Sequence, residues 1–483
     1  MNKTTSFLKK VVMILVATAT YLFSGLVLAQ SPLTITMNPR SLEKSVNIPP
    51  EFLGLSFEME KVLPDGNGKY YFSPENKPLI AMFKTVGIKS LRVGGNTADR
   101  PTINVPAKDD LDSLFAFAKA SGVKIIFTLR MREGDPKVAA DLAKYIMDHY
   151  KSQLTCFAIG NEPNVFAKEY PAYRDLWKNY METIVAQGSA PDAKFCGPGA
   201  TPGKTAWAKD FANDLGDSGR IALITQHDYP GGSARNVTDT AGARDKMLSP
   251  GWVKGYEKFY AKFVPAAKAK NLPFRLEEAN SFFNGGVKDV SDTFASALWA
   301  LDYSYWWASH GACGINFHTG DKVAAGGQNT SCKYAAFLTA PGGYSACPIA
   351  YGMKAFDLGG QGRVMPLDFT SNPDGVNLTG YAVSGQDNIL FITLINKEHG
   401  SLSRHANISI AAGGPWNKAE TMSLAVSNGD VSATFGVTLG GAKIKTDGGW
   451  EGTWTPIATP PGNGNITIKV PAATAAVVKL TAK

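Results

Sequence analysis

Cysteine is scarce in this chain and wrongly spaced for metal work. The 483 residues contain five, Cys156, Cys196, Cys313, Cys332 and Cys347, with no Cys-x-x-Cys pair and no His/Cys cluster at zinc spacing. Cys156, Cys196 and Cys313 lie in strand-like runs and read as small core residues. Cys332 and Cys347 share one Gly-rich region and are the best candidates for a disulfide, should the chain be exported. Lys/Arg tracts are also missing, so no nucleic-acid partner is expected. Beyond the N-terminus no run is long and apolar enough to cross a membrane. There is no internal repeat and no low-complexity segment. With 44% hydrophobic and 19% charged residues, the balance is that of a globular protein rather than a disordered one.

The N-terminus reads as a processing signal. Lys3, Lys9 and Lys10 precede "VVMILVATATYLFSGLVLA", with Val27 and Ala29 at the small-residue positions before a cut at Ala29-Gln30. An uncleaved anchor is the alternative. Residues 1–29 are therefore expected to be a signal peptide and the protein secreted or periplasmic, off the membrane after cleavage. Removing them takes away three lysines and no acid, so the formal charge falls from +8 to +5. A mildly basic balance is compatible with an acidic ligand.

From about residue 50 to 345 eight short apolar runs alternate with helical stretches: "FLGLSFE", "KSLRVGG", "VKIIFTL", "LTCFAIGNE", "AKFCG", "IALITQH", "PFRLEE" and "ACGINFH". Eight such alternations predict an α/β fold, a (β/α)8 TIM barrel, over residues 49–356. A doubly wound open sheet is the runner-up, but it wants a Gly-rich phosphate loop after its first strand, and "SFEMEKV" is not one. Trp299, Trp306 and Trp307 stand at helical spacing and read as packing residues. After residue 357 the period becomes two, in "NLTGYAVS", "ILFITLINK", "ANISIAA" and "AAVVKLTA", which predicts an accessory all-β sandwich. "LTITMNP" at 33–39 is expected to join it, giving a second unit of residues 30–48 plus 357–483.

Barrel active sites lie at the C-terminal ends of the strands. The residues there are Glu58; Asn96 and Asp99; Asn161 and Glu162; His227, Asp228 and Tyr229; Glu277, Glu278 and Asn280; Asn316 and His318. They are acids and hydrogen-bonding groups, with no metal-like triplet evident in their spacing. Strands four and seven face each other across such a barrel, so carboxylates on them can meet over the mouth. Two opposed carboxylates suit glycoside hydrolysis, one protonating the leaving oxygen and the other attacking the anomeric carbon, about 5–5.5 Å apart in a retaining enzyme. Glu162 would end its strand because it points into the pocket, and Pro163 would stop the ladder there. Strand seven offers both Glu277 and Glu278. Strict alternation lets at most one of them enter the mouth.

The stretches "IPPEFLGLSFE", "SLRVGGNTAD", "AIGNEPNVF", "RLEEANSFFNGG", "SDTFASALWALDY", "GINFHTG" and "AYGMKAF" resemble glycoside hydrolase family 79, the β-glucuronidase and heparanase-like group of retaining clan A barrels. The resemblance implies Glu162 as general acid/base and Glu278 as nucleophile, with Glu277 its outward neighbour. It implies Asn161 at the sugar 2-hydroxyl and Tyr229 beside the nucleophile. Glu58, Asn96, His227 and Asn280 are further substrate-binding candidates from the mouth. An ionised nucleophile wants donors around it, for which Tyr229 and Arg275 are the candidates.

One position departs from the family pattern. Where members that cut glucuronides carry a Tyr hydroxyl for the sugar carboxylate, this chain has Phe282 and Phe283. Phe283, the backbone of Gly285 and the Tyr334 hydroxyl are the remaining binding candidates; Lys288 and Lys322 read as solvated surface charges. One lost hydroxyl contact to a charged group costs about 1.5–3 kcal/mol, which weakens carboxylate binding without abolishing it. The expected function is thus a retaining exo-β-glucuronidase acting on glucuronic acid, or its 4-O-methyl form, in glycans or glycosides. The alternatives are endo-cleavage of a uronate polysaccharide, a neutral-sugar β-glycosidase, and a carbohydrate-binding protein on a retired barrel. The two carboxylates suffice for the chemistry, so no metal or organic cofactor is expected.

Overall fold

A computed structural model describes residues 33–37, 45–414, 416–458 and 464–482; the leader proposed for residues 1–29 lies outside them. Eight parallel strands close into a barrel: β1 (Leu53–Glu58), β2 (Ser90–Gly94), β3 (Lys124–Leu129), β4 (Leu154–Ile159), β5 (Phe195–Pro198), β6 (Ile221–Asp228), β7 (Phe274–Ala279) and β8 (Gly314–His318). Each strand pairs with its sequence neighbours, and β8 returns to β1. The strands are buried almost throughout, as parallel strands covered by helices must be. This is the (β/α)8 barrel that the eight alternations predicted.

The outer ring is built from amphipathic helices with legible ends. One of them, Pro136–Tyr150, starts with Pro136 in its first turn and Asp135 accepting the Lys137 N–H at 2.8 Å. The helix after β7, α1 (Phe294–Ser309), is buried on every side. The barrel, the neighbouring helices and the C-terminal sheets enclose it, and Trp299 and Trp306 pack on Tyr256, which is why its tryptophans are packing residues. Asp302 on α1 reaches the sandwich, where it takes Lys397 Nζ at 2.7 Å, the Tyr381 hydroxyl at 2.7 Å and Thr379 Oγ1 at 2.8 Å.

The two flanking sheets enclose their own core. One runs in the order Leu367–Phe369, Leu33–Met37, Ala406–Ala411, Ile466–Val470. The other is larger and has Leu378–Ser384, Ile389–Asn396, Thr474–Ala482 and Trp416–Ala425 at its centre. Ile392, Leu394, Ile408, Ile410, Val478 and Leu480 fill the space between. Strict alternation of buried and less buried residues in Ala406–Ala411 and Ile466–Val470 is the period-two pattern of a sheet with one face on a core.

Two loop hairpins follow β8: β9 (Lys322–Ala325) with β10 (Gln328–Ser331), then Phe337–Ala340 with Gly343–Ala346. The disulfide expected in this region is not formed. Cys332 and Cys347 both pack beside Tyr229 and Tyr334, but as free thiols. Burial among apolar neighbours pushes both thiols up, the opposite of what a reactive thiolate requires.

Candidate active site

At the end of β4 the backbone turns sharply. Gly160 has φ 80° and Glu162 has φ 46°, ψ 53°, a left-handed conformation that a non-glycine residue adopts only when its surroundings hold it there. The Glu162 N–H donates to Gly199 O at 3.1 Å, and Pro163 opens a short 3-10 turn that ends the strand. The result is a carboxyl projecting over the barrel, with Oε1 3.0 Å from His227 Nδ1.

Strand β7 uses a different device. Against both neighbours the register gains one residue in β7: Ile315 and Phe317 pair with Leu276 and Ala279, and Thr225 and His227 pair with Arg275 and Glu278. Such a bulge interrupts alternation and re-aims a side chain. Consequently Glu277 is not the outward neighbour that the resemblance implied. It points into the barrel, where Oε1 accepts from Thr225 Oγ1 at 2.7 Å and Oε2 lies 3.6 Å from Cys196 Sγ. Glu278 also turns inward, to the mouth above it.

Four groups surround the Glu278 carboxylate. Arg92 Nη1 donates to Oε2 at 2.7 Å and the Tyr229 hydroxyl to Oε1 at 2.9 Å. His227 Nδ1 and His318 Nδ1 stand 3.9 and 3.8 Å away. Burial alone would push this carboxyl up. The two imidazoles, the guanidinium and the Tyr229 hydroxyl outweigh it and hold the group well below the ordinary carboxylate range. Burial lowers His318, but Glu278 and Glu58 prevail and raise it. Burial raises Tyr229 far above the usual phenol, reinforced by Glu278, so its hydroxyl keeps the proton it donates.

The guanidinium at Glu278 comes from Arg92, which was not singled out from the sequence. It is fully buried on β2 and also donates to Ser56 Oγ at 3.1 Å and Asn161 Oδ1 at 2.7 Å. Arg275, the residue expected there, does not reach. It lies about 10 Å lower on its strand at 3.3 Å per residue, and donates to Asn316 and to the main-chain carbonyls of Glu51, Phe52 and Cys313. A charged residue inside the apolar run "SLRVGG" was the available signal for Arg92.

Glu162, Glu278, Tyr229, Asn96, Phe283, Gly285, His318 and Tyr334 line one cavity of about 490 Å³. Four expected binding residues lie behind its wall instead. Asn280 is fully buried and its amide donates to the carbonyls of His318 and Tyr334 at 3.0 and 3.2 Å. Glu58 accepts from Thr97 N, Thr97 Oγ1 and Ala324 N at 2.9, 2.8 and 2.9 Å. His227 backs Glu162, and Asn161 is held between Arg92 and Asn96. Apart from His227 Nε2, their polar atoms are taken up by the framework, as buried polar groups generally are. Of the two phenylalanines, Phe282 is buried against Trp252, whereas Phe283 is 37% exposed and packs edge-on to Tyr229. Phe283 is therefore the one of the two that lines the cavity. Lys288 and Lys322 are exposed and lie outside the cavity. Also in its wall, and not anticipated, are Thr201, Pro202, Gly203, Asn284 and Val323–Ala325.

Ala324 is fastened through both of its main-chain polar groups, its N–H to Glu58 and its C=O to Asn96 Nδ2 at 2.7 Å. The β9–β10 hairpin thus forms a fixed wall at one end of the cavity. Among the described residues, Glu162, His227 and Glu278 bring their ligand-type atoms within 4.8 Å of one another. That is close enough to share a cation, but here the Arg92 guanidinium and Tyr229 hydroxyl already occupy the two oxygens of Glu278.

The fold is that of the TIM-barrel glycosidases. A 4-O-α-L-rhamnosyl-β-D-glucuronidase from Fusarium oxysporum 12S superposes with a TM-score of 0.69 at 19% identity, over 92% of this chain and all of that one. A GH51 arabinofuranosidase from Xanthomonas axonopodis pv. citri gives 0.65 at 14% over 93% and 100%. No family model matches the sequence. Among curated proteins, a β-glucuronidase of Neurospora crassa is 25% identical over 335 residues, 62% of this chain and 56% of that protein. Mouse heparanase is 27% identical over 211 residues, 41% and 38%. The matches thus span little more than half the length of these relatives, or less. Within the barrel glycosidases, the sequence similarity is thus to β-glucuronidases and heparanases, the group that the barrel motifs resemble.

Proposed function

We propose that this chain is a retaining exo-β-glucuronidase. The observation that carries the reading is the pair Glu162 and Glu278, which bring carboxyl oxygens within 4.8 Å of one another in one cavity and in opposed surroundings. Such a spacing suits direct attack rather than a water held between the acids. Glu278 attacks the anomeric carbon while Glu162 protonates the departing oxygen. Glu162 then takes a proton from the water that releases the sugar from Glu278, restoring both groups. Arg92, Tyr229 and His318 keep the nucleophile ionised, and the bulge aims it. The glucuronide preference rests on the similarity to the Neurospora and mammalian proteins. Among the described residues no Lys or Arg side chain lines the cavity, so the sugar carboxylate falls to the main chain of Asn284 and Gly285, both at positive φ, and to the Tyr334 hydroxyl. The hairpin anchored at Ala324 favours removal of a terminal sugar. Action outside the cytoplasm is part of the same proposal and rests on residues 1–29.

The test is hydrolysis of matched aryl β-glycosides: glucuronide, 4-O-methylglucuronide, glucoside, xyloside and galactoside. A uronide should be cleaved far faster than the neutral sugars, with the β anomer appearing first by proton NMR. Preference for a neutral sugar removes the substrate assignment, and an initial α anomer removes the retaining mechanism. Monosaccharide as sole product from a uronate glycan supports exo action; oligosaccharides select the endo reading, for which the heparanase similarity speaks.

A further inference from the structure

We propose that Glu277 is a positioning residue for the acid/base Glu162, acting through His227 and Gly199; the inference rests on the functional reading above. The β7 bulge leaves this second glutamate buried inside the barrel, directly under the site. His227 is completely buried and lies between carboxylates. Its Nδ1 is 3.0 Å from Glu162 Oε1 and 3.9 Å from Glu278 Oε1, and its Nε2 is 3.8 Å from Glu277 Oε1. Nε2 has no hydrogen-bond partner, so the Glu277 charge is what faces that side of the ring. Arg92 faces the cluster from β2 through Glu278, and Cys196 faces Glu277 from β5.

A buried imidazole has two ring orientations and two neutral tautomers. A carboxylate on the Nε2 side favours a proton there and fixes which nitrogen meets Glu162, the logic by which a third group orients a catalytic base. Glu277 also stands against the turn that supports the Glu162 backbone. Gly199, at φ 58°, lies so close that a Cβ would stand 2.3 Å from Glu277 Oε1, and the Gly199 carbonyl is the acceptor for the Glu162 N–H at 3.1 Å. The same carboxylate thus braces both supports of a residue held in left-handed backbone. Glu277 lines no part of the cavity and bonds to neither of the nucleophile's two direct donors, and His227 stands closer to Glu162 than to Glu278, so its effect should fall mainly on acid assistance.

The experiment is kcat/KM for aryl β-glucuronides whose leaving groups run from dinitrophenol to phenol, in wild type and E277Q. A dinitrophenolate departs without protonation, whereas phenol needs the acid. E277Q is expected to lose about 10–100-fold on the phenyl glucuronide and no more than about threefold on the dinitrophenyl one, a steeper dependence on leaving-group pKa. H227N should show the same steepening on top of a loss common to all leaving groups, because its imidazole also faces Glu278, and the E277Q/H227N double variant should lose no more than the worse single one, because residues acting in series are not additive. E277D, which keeps the charge but draws it back, should fall between, and carries the comparison if E277Q does not fold. Equal losses on all leaving groups, or fully additive losses in the double variant, overturn the inference while leaving the functional reading intact. A wild type that cleaves no aryl glucuronide overturns both.

Discussion

The ends of β4 and β7 solve one problem in two ways. Each must take a carboxylate out of the strand's alternation and aim it at a common point. β4 does so with a left-handed residue locked by Pro163 and the Gly199 carbonyl; β7 does so with an inserted residue. Their surroundings then diverge. Glu278 has two strong donors and two imidazoles around it, whereas Glu162 has the His227 ring on one oxygen and is 17% exposed. The backbone decides where a carboxylate points. The neighbours on β2, β6 and β8 decide whether it is fit to attack or to exchange protons.

The largest expected effects test that division directly. Glu278→Ala should lower kcat by about 10⁴-fold or more, because the covalent route disappears. Glu162→Ala should lose about 10²–10⁴-fold on substrates needing protonation and far less on a dinitrophenyl glucuronide. Azide should rescue both with opposite stereochemistry, giving the α-azide from the Glu278 variant and the β-azide from the Glu162 variant. NMR of the products decides; the reverse pairing would exchange the two roles.

Arg92→Met should make the two ends more alike. The ion pair it removes is 2.7 Å long and fully buried on the arginine side, and breaking such a pair costs about 3–5 kcal/mol. The folded-state pKa of Glu278 is depressed, so its stabilising contribution is present above the unfolded carboxylate value and is lost as pH falls through the folded one. Denaturation in urea at several acidic pH values should therefore show the variant failing at a higher pH than wild type, with the acid limb of kcat/KM displaced the same way. Unchanged acid tolerance would mean that the imidazoles alone hold Glu278. Tyr229→Phe should do less. It removes one 2.9 Å bond to a carboxylate, about 1.5–3 kcal/mol, and steady-state kinetics should show a loss on the order of 10–100-fold.

Much of this was legible before any coordinate. Eight apolar runs, the Asn-Glu-Pro end of β4 and the period-two C-terminal third each carry a local signal. What was not legible depended on register and on distance across the barrel. Glu277 reads as outward because alternation is the default, and no residue in "RLEEAN" announces a bulge. Arg275 and Arg92 both sit in strands, and only the height of each in the barrel shows which one meets the nucleophile. Asn280 and Glu58 look like binding groups at strand ends, yet the loops that fold back over the mouth claim them first. The hairpin bearing Ala324 is remote in sequence from both Glu58 and Asn96, so no spacing could join them.

The smallest effect lies with His318, which separates the mouth's electrostatics from its shape. Its imidazole is 3.6 Å from Glu58 Oε1 and 3.8 Å from Glu278 Oε2, with Ser56 Oγ at 3.2 Å. Burial lowers its pKa, but the two carboxylates overcome that and raise it. A raised folded value means that its stabilising contribution is complete below the unfolded imidazole pKa of about 6.5 and drains away as pH climbs through the folded one. His318→Gln keeps a donor of similar reach without the titration. The melting temperature of wild type should exceed that of the variant most at pH 6, and the gap should narrow steadily toward pH 9. A gap that stays constant across that range would assign His318 a packing role only, and would leave Arg92 and Tyr229 as the groups that set Glu278 apart from Glu162.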